Sequence, residues 1–221
     1  MAPINPSPRN AKTDRKEASR ERILEVASRG VRRAGFHGIG VADVMKQAGL
    51  THGGFYAHFE SRDELLGAAA ARAGQDSRAL FEDLLKRLTA AGVPPFRAMV
   101  ETYLHESGIG NCENGCPVAA LVSEMPRQSE SVQQVSRALM THLHRMVGEA
   151  LGDRAPADEA WSIVSSLVGA LQLARAFGDN DQGRAVLDST KQALLSRYGE
   201  EAKASTVKSN KETKSDAKRR H

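Results

Sequence analysis

The chain has 221 residues, of which 40% are hydrophobic and 5% aromatic, so it is long enough to bury a core in one domain or in a small domain joined to a larger one. No apolar run comes near the roughly 18 residues of a membrane span, and the first residues lack the apolar stretch of a signal peptide. Two cysteines are too few for a disulfide framework, so we expect a cytoplasmic protein.

The formal net charge of +4 is concentrated at the two ends of the chain. Residues 1–22 contain six Lys and Arg against three acidic residues, and residues 201–221 contain seven against three, whereas the part between them is mildly acidic. Both ends lack large apolar residues beyond the first few, which is typical of solvated segments. We predict a basic disordered arm over 1–18 and a basic disordered tail over 201–221.

The first predicted helix covers residues 19–34. Its apolar residues Ile23, Ala27 and Val31 recur at helical spacing, and Gly35 follows where a helix stops. After the turn GFHGIG, the stretch VADVMKQA predicts a two-turn helix that buries Val44 and ends at Gly49.

A second short helix is predicted in the stretch AGLTHGGFYAHFES, residues 48–61. Thr51 occupies the N-cap position, so the helix begins at His52. Phe55 and Phe59 are four residues apart and form its buried side, which directs Tyr56 and His58 outwards.

The glycine pair Gly53 and Gly54 in the first turn of this helix raises a question, because each glycine inside a helix costs about 1 kcal/mol relative to alanine. Without side chains, this helix end can bring its backbone N–H groups against a phosphate or a groove wall. Tyr56 and His58 could contact phosphates and base edges in the major groove, or they could pack between helices. The arrangement of helix, turn and helix favours DNA.

The rest of the chain is predicted to be helical. Ser61 and Glu64 form a capping box that starts a long helix, and the break at 93–95 precedes the next one. Residues 108–115 are predicted as a loop, and Pro117 opens a helix that Pro126 stops. Apolar residues at helical spacing continue over 132–146, 157–177 and 186–195. We therefore predict an all-α protein of about nine helices.

The segment FHGIGVADVMKQAGLTHGGFYAHFESRDELL resembles the DNA-binding segment of the TetR family of bacterial transcriptional regulators. The glycine-led turn, the short helix ending in aromatic-Tyr-x-His-Phe, and the x-Glu-Leu start of the next helix recur at the spacing of that family. The resemblance implies a three-helix helix-turn-helix domain over 19–66 and a helical effector-binding and dimerisation domain over 67–200. It also implies operator DNA as a partner.

The resemblance places the DNA contacts on the recognition helix, at the start of the helix before it and just beyond. We add Arg20, from the basic side of the first helix. The predicted DNA-binding residues are Arg20, Val41, Thr51, His52, Gly53, Gly54, Tyr56, Ala57, His58 and Arg62. The residues at 52 and 54 depart from those common in the family, which bears on the preferred operator sequence.

Homodimerisation is expected because one short recognition helix reads few base pairs, whereas a two-fold dimer reads two half-sites. The resemblance places the interface on the last two helices. The small residues Gly169, Ala170 and Ala174 permit close helix approach, although an ordinary core helix explains them equally well. The residues predicted at the interface are Leu167, Leu171, Ala174 and Leu194.

The two cysteines, Cys112 and Cys116, are predicted as an effector-responsive site. Cys116 falls at the start of the helix that Pro117 opens, where the helix dipole stabilises a thiolate. This local sequence is similar to that of TetR-family repressors that sense electrophiles or oxidants through one cysteine. The alternative is that both thiols pack as small apolar groups. Together with His105, His142 and His144, the cysteines form no familiar metal-ligand pattern, so we predict no metal.

A non-covalent effector pocket between the middle helices is the other possibility, and each of its candidate residues could equally be part of the core. The candidates are Phe96, Met99, Tyr103, Leu121, Met125 and Trp161.

Other classes of function fit the sequence less well. No glycine-rich phosphate loop, His-Glu-x-x-His motif or recognisable catalytic triad is present, so we predict neither an enzyme nor a cofactor. A helical adaptor or scaffold would explain the core but not the helix-turn-helix with its basic arm. We therefore predict a homodimeric repressor released by a small-molecule or thiol-reactive effector, with activation as the alternative.

Overall fold

The computed structural model of the protein describes residues 8–156 and 158–199. The predicted tail over 201–221 and the first seven residues of the predicted arm lie outside these described residues. The described chain is all α-helical, as predicted, with nine α-helices and four short 3-10 helices. The α-helices are α1 (Pro8–Ala34), α2 (Val41–Gln47), α3 (Arg62–Ala90), α4 (Pro95–Tyr103), α5 (Ser107–Gly110), α6 (Pro117–Leu121), α7 (Glu130–Leu151), α8 (Glu159–Phe177) and α9 (Asp181–Tyr198). The 3-10 helices are His52–Ala57, Cys112–Asn114, Met125–Arg127 and Gly152–Arg154.

Helix α1 begins at Pro8, eleven residues before its predicted start. Residues 8–18 therefore continue the helix instead of forming an arm separate from it. Proline is tolerated in the first turn of a helix because its missing N–H has no intrahelical acceptor there. The residues after it include several good helix formers, such as Ala11, Lys12 and Arg15, although they offer no apolar stripe for burial.

Two predicted glycine stops are confirmed. Gly35 has φ +75°, and its N–H donates to the Val31 carbonyl at 2.9 Å. Gly49 has φ +72°, and the N–H of Leu50 beyond it donates to the Met45 carbonyl at 2.9 Å. Glycine adopts this left-handed conformation without the steric cost that a Cβ brings, so both helices end there.

Two predicted loop and helix boundaries are corrected. The predicted loop over 108–115 contains the end of α5 and the 3-10 helix Cys112–Asn114. Helix α6 ends at Leu121 and does not reach Pro126, which lies inside the 3-10 helix Met125–Arg127. A 3-10 helix tolerates this proline because the proline lies in the first turn, where its missing N–H would have no acceptor within the helix.

The chain divides into two compact units. The first comprises the chain up to Arg78 together with Asn111–Met140, and the second comprises Ala79–Gly110 and the chain from Thr141 onward. The predicted domain boundary between 66 and 67 does not coincide with this division, because the first unit also takes part of α3 and the whole segment around α6.

The core of the first unit joins the helix-turn-helix to that later segment. Ile23 and Val31 of α1, together with Phe36 beyond it, are fully buried. Phe55 and Phe59 pack in the same cluster with their rings stacked at a centroid distance of 5.7 Å. Three residues from the later segment complete the cluster, namely Leu121, Met125 and Val132.

The second unit is built around α8 and α9, with α4 packed against α9. The helices α8 and α9 approach closely at Gly183, where a Cβ would lie 2.3 Å from the Gly178 carbonyl oxygen. Tyr198 packs edge-on against Phe96 and donates its hydroxyl proton to Glu159 at 2.6 Å, which ties the end of α9 to the start of α8.

Candidate nucleic-acid interface and effector region

The recognition helix, defined here as His52–Ala57, is a 3-10 helix. Two buried aromatic side chains hold it in place, one inside the helix and one just beyond its C-terminal end. Phe55 and Phe59 are 2% and 1% exposed, as predicted, and the six-residue helix lies between α2 and α3. Thr51 occupies the N-cap position, but its hydroxyl makes no capping hydrogen bond. Its backbone carbonyl accepts from the N–H of Gly54 at 3.0 Å. The burial of the two Phe rings fixes which side of the helix faces outwards.

The outward side carries Tyr56, which is 73% exposed and is the most exposed large apolar residue in the part of the chain that the structure describes. His52 and Ala57 are also exposed, and His58 is half-buried. An aromatic ring that is left in water forgoes about 1.5–3 kcal/mol of burial, which a binding partner can recover.

The glycine pair is not required by the protein's own conformation. Neither Gly53 nor Gly54 has a positive φ. A Cβ built on Gly53 meets no atom within 4 Å, and one built on Gly54 meets only Met45 and Thr51 side-chain atoms at 3.7 Å, an ordinary contact. Other residues would therefore fit at both positions in the isolated chain.

Basic groups of α1 lie beside the recognition helix. The Arg20 guanidinium stands over the Phe59 ring, 4.9 Å from its centroid. Burial, and then the positive charges of Lys16 and Arg20, lower the pKa of His58. The buried Nδ1 of His58 has no hydrogen-bond partner among the described residues. These groups place positive potential beside the outward face of the recognition helix, which favours a polyanion.

Arg62, predicted as a DNA contact, is exposed and bonds to the turn between α1 and α2. Its guanidinium donates to the Phe36 carbonyl at 2.5 Å and lies 3.4 Å from the Ile39 carbonyl. These contacts hold the turn between α1 and α2 from the first residue of α3. Val41, also predicted as a DNA contact, is half-buried and packs against the core of the first unit.

Glu124 holds the same turn from the later segment, a role that the sequence did not reveal. Its Oε2 accepts from the backbone N–H of Phe36 at 3.0 Å and lies 3.3 Å from the His37 Nδ1. Its Oε1 occupies the space beside Gly35, where a Cβ would be 2.0 Å away. The turn that precedes α2 is thus held by a carboxylate at its N–H and by a guanidinium at its carbonyls.

We expect the loss of the Glu124 carboxylate to destabilise the first unit. Glu124→Ala leaves the Phe36 N–H without its charged acceptor, which costs about 1.5–3 kcal/mol. Glu124→Gln keeps an acceptor oxygen and should cost less. The control is Glu130→Ala, since Glu130 is exposed and its ion pair is with the exposed Arg137. Thermal unfolding measures the stability of the three variants. An equal loss of stability in Glu124→Ala and Glu130→Ala would contradict this role of Glu124.

The cysteine-bearing loop, residues 111–116, is attached to the end of α1. Glu113 pairs with Arg33 at 2.8 Å, and the Gly115 carbonyl lies 3.5 Å from Nη1 of Arg32. Cys112 and Cys116 are half-buried, and neither forms a disulfide. Cys116 is the N-cap residue of α6, as predicted.

Arg32 is the buried centre of this attachment, with a side chain only 1% exposed. Burial lowers the pKa of Arg32, whereas the charges of Asp76, Glu113 and Cys116 act in the opposite direction. Its Nε donates to the Ser28 carbonyl at 3.1 Å and its Nη1 to the Ala73 carbonyl at 3.3 Å. A fixed positive charge therefore lies close to the loop that carries Cys116.

The residues predicted to line one effector pocket belong to different units. Leu121 and Met125 are part of the core of the first unit. Phe96, Met99 and Tyr103 are buried in the second unit. Trp161, also in the second unit, is 48% exposed and stacks on His144 at a centroid distance of 4.3 Å.

The residues predicted at the dimer interface are buried within the chain itself. Leu167, Leu171, Ala174 and Leu194 are at most 7% exposed, because the face of α8 that carries the first three belongs to the core of the second unit. The outward face of α8 instead presents Leu173 and Phe177, which are 58% and 51% exposed.

Two family models match the sequence and together cover about two thirds of it. The first, described as bacterial regulatory proteins of the tetR family, matches residues 23–69. The second, described as the C-terminal domain of LmrA/YxaF-like transcriptional regulators, matches residues 89–188. The chain belongs to the TetR family. It is therefore a transcriptional regulator of the helix-turn-helix class, as the sequence predicted.

Solved structures of other TetR regulators share this fold. A regulator from Chloroflexus aurantiacus J-10-FL has a TM-score of 0.68 and 22% identity over 83% of this chain and 95% of its own. One from Agrobacterium tumefaciens has a TM-score of 0.65 and 22% identity over 83% and 98%. The reduced form of E. coli NemR has a TM-score of 0.64 and 18% identity over 80% and 94%. At these identities the likeness concerns the fold, and no curated protein sequence matches the chain.

Two further properties of this TetR chain concern metals and membranes. Among residues 8–156 and 158–199, no group of three or more His, Cys, Asp or Glu side chains is placed to hold a metal ion. Helix α8 is long and apolar enough to cross a membrane by length and composition, which the sequence analysis did not anticipate. Of its apolar window, 44% is buried inside the chain.

Proposed function

We propose that the chain is a homodimeric repressor that binds operator DNA in the cytoplasm through the recognition helix and is released by an effector. The observation that carries the DNA-binding surface is the glycine pair beside the exposed Tyr56. The fold leaves room for side chains at Gly53, and its backbone does not require glycine there. A small residue at the N-terminal turn of this helix lets backbone N–H groups approach phosphates closely.

The roles of the predicted residues differ under this proposal. His52, Gly53, Gly54, Tyr56 and His58 form the surface that enters the major groove, with Thr51 and Ala57 at its two ends. Lys16 and Arg20 supply positive charge beside it, where DNA phosphates would pass. Arg62 and Glu124 hold the turn at 35–39 and so orient the helix-turn-helix, and Arg62, which is exposed, can also face DNA.

Salt dependence of binding tests this proposal. Fluorescence anisotropy with the duplex upstream of the protein's own gene should show affinity that falls steeply with salt. For six to ten phosphate contacts, the affinity for DNA falls about 1,000-fold or more between about 50 and about 200 mM salt. A helical scaffold protein would show no salt-dependent binding to that duplex, and such a result would refute the proposal.

A second copy of the chain is the proposed partner for the outward face of α8. Ser162, Gly169 and Leu173 share that face at helical spacing, and a Cβ on Gly169 would meet no atom within 4 Å. A helix interior that keeps a glycine with open space around it loses about 1 kcal/mol relative to alanine. Close approach of a second α8 would explain both this glycine and the exposed Leu173 and Phe177.

Cys116 is the proposed point at which a thiol-reactive effector acts. Its half-buried free thiol sits beside a buried arginine, in a loop that is anchored to α1. The thiolate would add to the electrophilic carbon of an unsaturated carbonyl compound, forming a C–S bond while the neighbouring carbon takes a proton from water. The added group would displace the loop from Arg32 and so disturb α1.

The effector proposal is tested by titrating the DNA complex with diethyl maleate. The wild type and Cys112→Ser should release DNA, whereas Cys116→Ser should stay bound. Release of the Cys116→Ser variant, or retention of the wild type, would show that Cys116 does not sense the electrophile and would leave a non-covalent ligand as the effector.

His58 gives a pH dependence to DNA binding. In the free protein its pKa is lowered, so the imidazole is neutral near neutral pH. Phosphates in the complex would oppose the charges of Lys16 and Arg20 and raise this pKa, so binding would take up a proton. Affinity should therefore rise as pH falls from about 7.5 to about 6.

The variants His58→Gln and His105→Gln separate this effect from general pH dependence. The extra affinity at low pH should disappear in His58→Gln and persist in His105→Gln, since His105 is in the second unit. The same anisotropy assay measures both, and an unchanged pH profile in His58→Gln would contradict the assignment.

A further inference from the structure

Arg175 on α8 has a guanidinium with three nitrogens, and only one of them forms a hydrogen bond within the described chain. Its Nε donates to the Gly108 carbonyl at 3.0 Å. Its Nη1 and Nη2 are both buried, and no described residue accepts a hydrogen bond from either of them. The residue as a whole is half-buried in the second unit.

Burial of unsatisfied N–H groups on a charged side chain is unfavourable, and arginine cannot escape by losing its proton. Arg32 shows how this chain otherwise treats a buried arginine, with backbone carbonyls at Nε and Nη1 and Asp76 at 3.7 Å from Nη2. Arg175 has no comparable set of acceptors. A buried polar group that lacks partners calls for an explanation, and a bound ligand is one.

Because the Gly108 carbonyl accepts from Nε, the Nη1–Nη2 edge of the Arg175 guanidinium is the one left without an acceptor among the described residues. With Nε occupied, the Nη1–Nη2 edge presents two parallel N–H bonds. This fork matches the two oxygens of a carboxylate or phosphate, which it binds in a bidentate manner. A neutral carbonyl or hydroxyl would satisfy only part of it.

Buried apolar side chains flank the Gly108–Arg175 contact along α5 and α8. Ile109, next to Gly108, is 4% exposed, and Leu171, one turn before Arg175, is 3% exposed. The Leu171 Cδ1 lies 3.4 Å from where a Cβ on Gly108 would be, so α5 and α8 are in close contact at this point. An oxyanion carried on an apolar body would match both the charge and its surroundings.

We propose that Arg175 anchors the oxyanion group of an amphipathic ligand, a carboxylate or phosphate on an aliphatic or aromatic body. The inference rests on the proposed function only in taking this ligand to be an effector. Arg175 binds the oxyanion end-on through Nη1 and Nη2 while Gly108 keeps the guanidinium in place.

Thermal unfolding in the absence of DNA tests the inference with three probes of equal chain length, namely octanoate, octyl phosphate and the neutral octanamide. At about ten times its dissociation constant, a ligand raises the Tm of a chain of this size by about 3 to 6 °C. Octanoate or octyl phosphate, titrated to about 1 mM, should stabilise the wild type in this way, and octanamide should not. The probe that acts identifies carboxylate or phosphate as the preferred group.

Two variants of Arg175 and one control complete the test. Arg175→Met should lose the oxyanion effect, and Arg175→Lys should retain a smaller one because it offers no two-pronged edge. Arg87→Met should behave as wild type, since Arg87 is an exposed arginine of the same unit that pairs with Asp83.

Equal stabilisation by all three probes, no stabilisation, or an oxyanion effect that survives in Arg175→Met would overturn the inference. So would a Tm of the unliganded Arg175→Met variant that falls far below that of Arg175→Lys, because it would show a structural role for the charge. Because no DNA is present, these outcomes are independent of operator binding, which the salt titration tests.

Discussion

Gly53→Gln is expected to leave the chain at least as stable as wild type while weakening operator binding by about 30-fold or more, or about 2 kcal/mol. In the free chain, a Cβ at position 53 has open space and the backbone φ is not positive, so the fold should accept the side chain. Glutamine is also a better helix former than glycine, by up to about 1 kcal/mol. In the complex, the same side chain would stand between the helix N-terminus and the phosphates.

Gly148→Gln is the matched control for this variant. Gly148 lies in α7, and a Cβ there also meets no atom within 4 Å. It should gain stability like Gly53→Gln but bind the operator as wild type does. Thermal unfolding and anisotropy measure both variants, and wild-type operator affinity in Gly53→Gln would show that the glycine does not serve close approach to DNA.

Leu173→Glu should convert the dimer to a monomer and lower operator affinity about 100-fold or more. A buried charge in the interface would cost several kcal/mol, because the carboxylate loses its hydration without gaining a partner. A monomer then presents a single recognition helix and loses the gain that comes from two linked half-sites.

Leu80→Glu controls for the general effect of a charge on an exposed leucine. Leu80 lies on α3 and is 50% exposed, close to the 58% of Leu173. Light scattering should report a dimer for wild type and Leu80→Glu and a monomer for Leu173→Glu. A dimer that persists in Leu173→Glu would place the interface elsewhere.

The helix pattern and the recognition helix could be predicted from sequence because both depend on local signals. Phe55 and Phe59 repeat at helical spacing, and Gly35 and Gly49 end helices where they were expected. The N-cap of α3 is also local: the Glu64 N–H donates to the Ser61 hydroxyl at 3.1 Å as predicted, whereas the Glu64 carboxylate accepts from the Glu60 N–H, one residue before the N–H that a capping box uses. Each of these signals acts over four residues or fewer.

The start of α1 was missed for a related reason. Apolar periodicity reports the burial of a helix face, and residues 13–18 are all exposed. A helix of polar residues that makes few core contacts leaves no such pattern. Intrinsic helix propensity was the better guide here.

Long-range contacts were beyond prediction. Glu124 accepts a hydrogen bond from the Phe36 N–H, although the two residues are 88 positions apart in the sequence. Arg62 donates to the Phe36 carbonyl from 26 positions away. Nothing in the sequence near Glu124 distinguishes its carboxylate from other surface acids. The same holds for Arg175, whose distinguishing feature is the lack of acceptors around two of its nitrogens.

The face of α8 that is proposed to meet a second copy could not be predicted either. This helix is apolar on most sides, so its sequence does not show which leucines the chain buries for itself. Only the fold separates the buried Leu167 and Leu171 from the exposed Leu173.

Operator binding by Tyr56→Ala tests the central proposal most directly. Tyr56 is 73% exposed, so its removal should leave the helical content, Tm and dimer mass unchanged. Anisotropy on the duplex upstream of the protein's own gene should nevertheless show that specific binding is lost and only weak, salt-sensitive binding remains. Wild-type affinity in Tyr56→Ala, with the fold intact, would contradict the assignment of this surface as the one that enters the major groove.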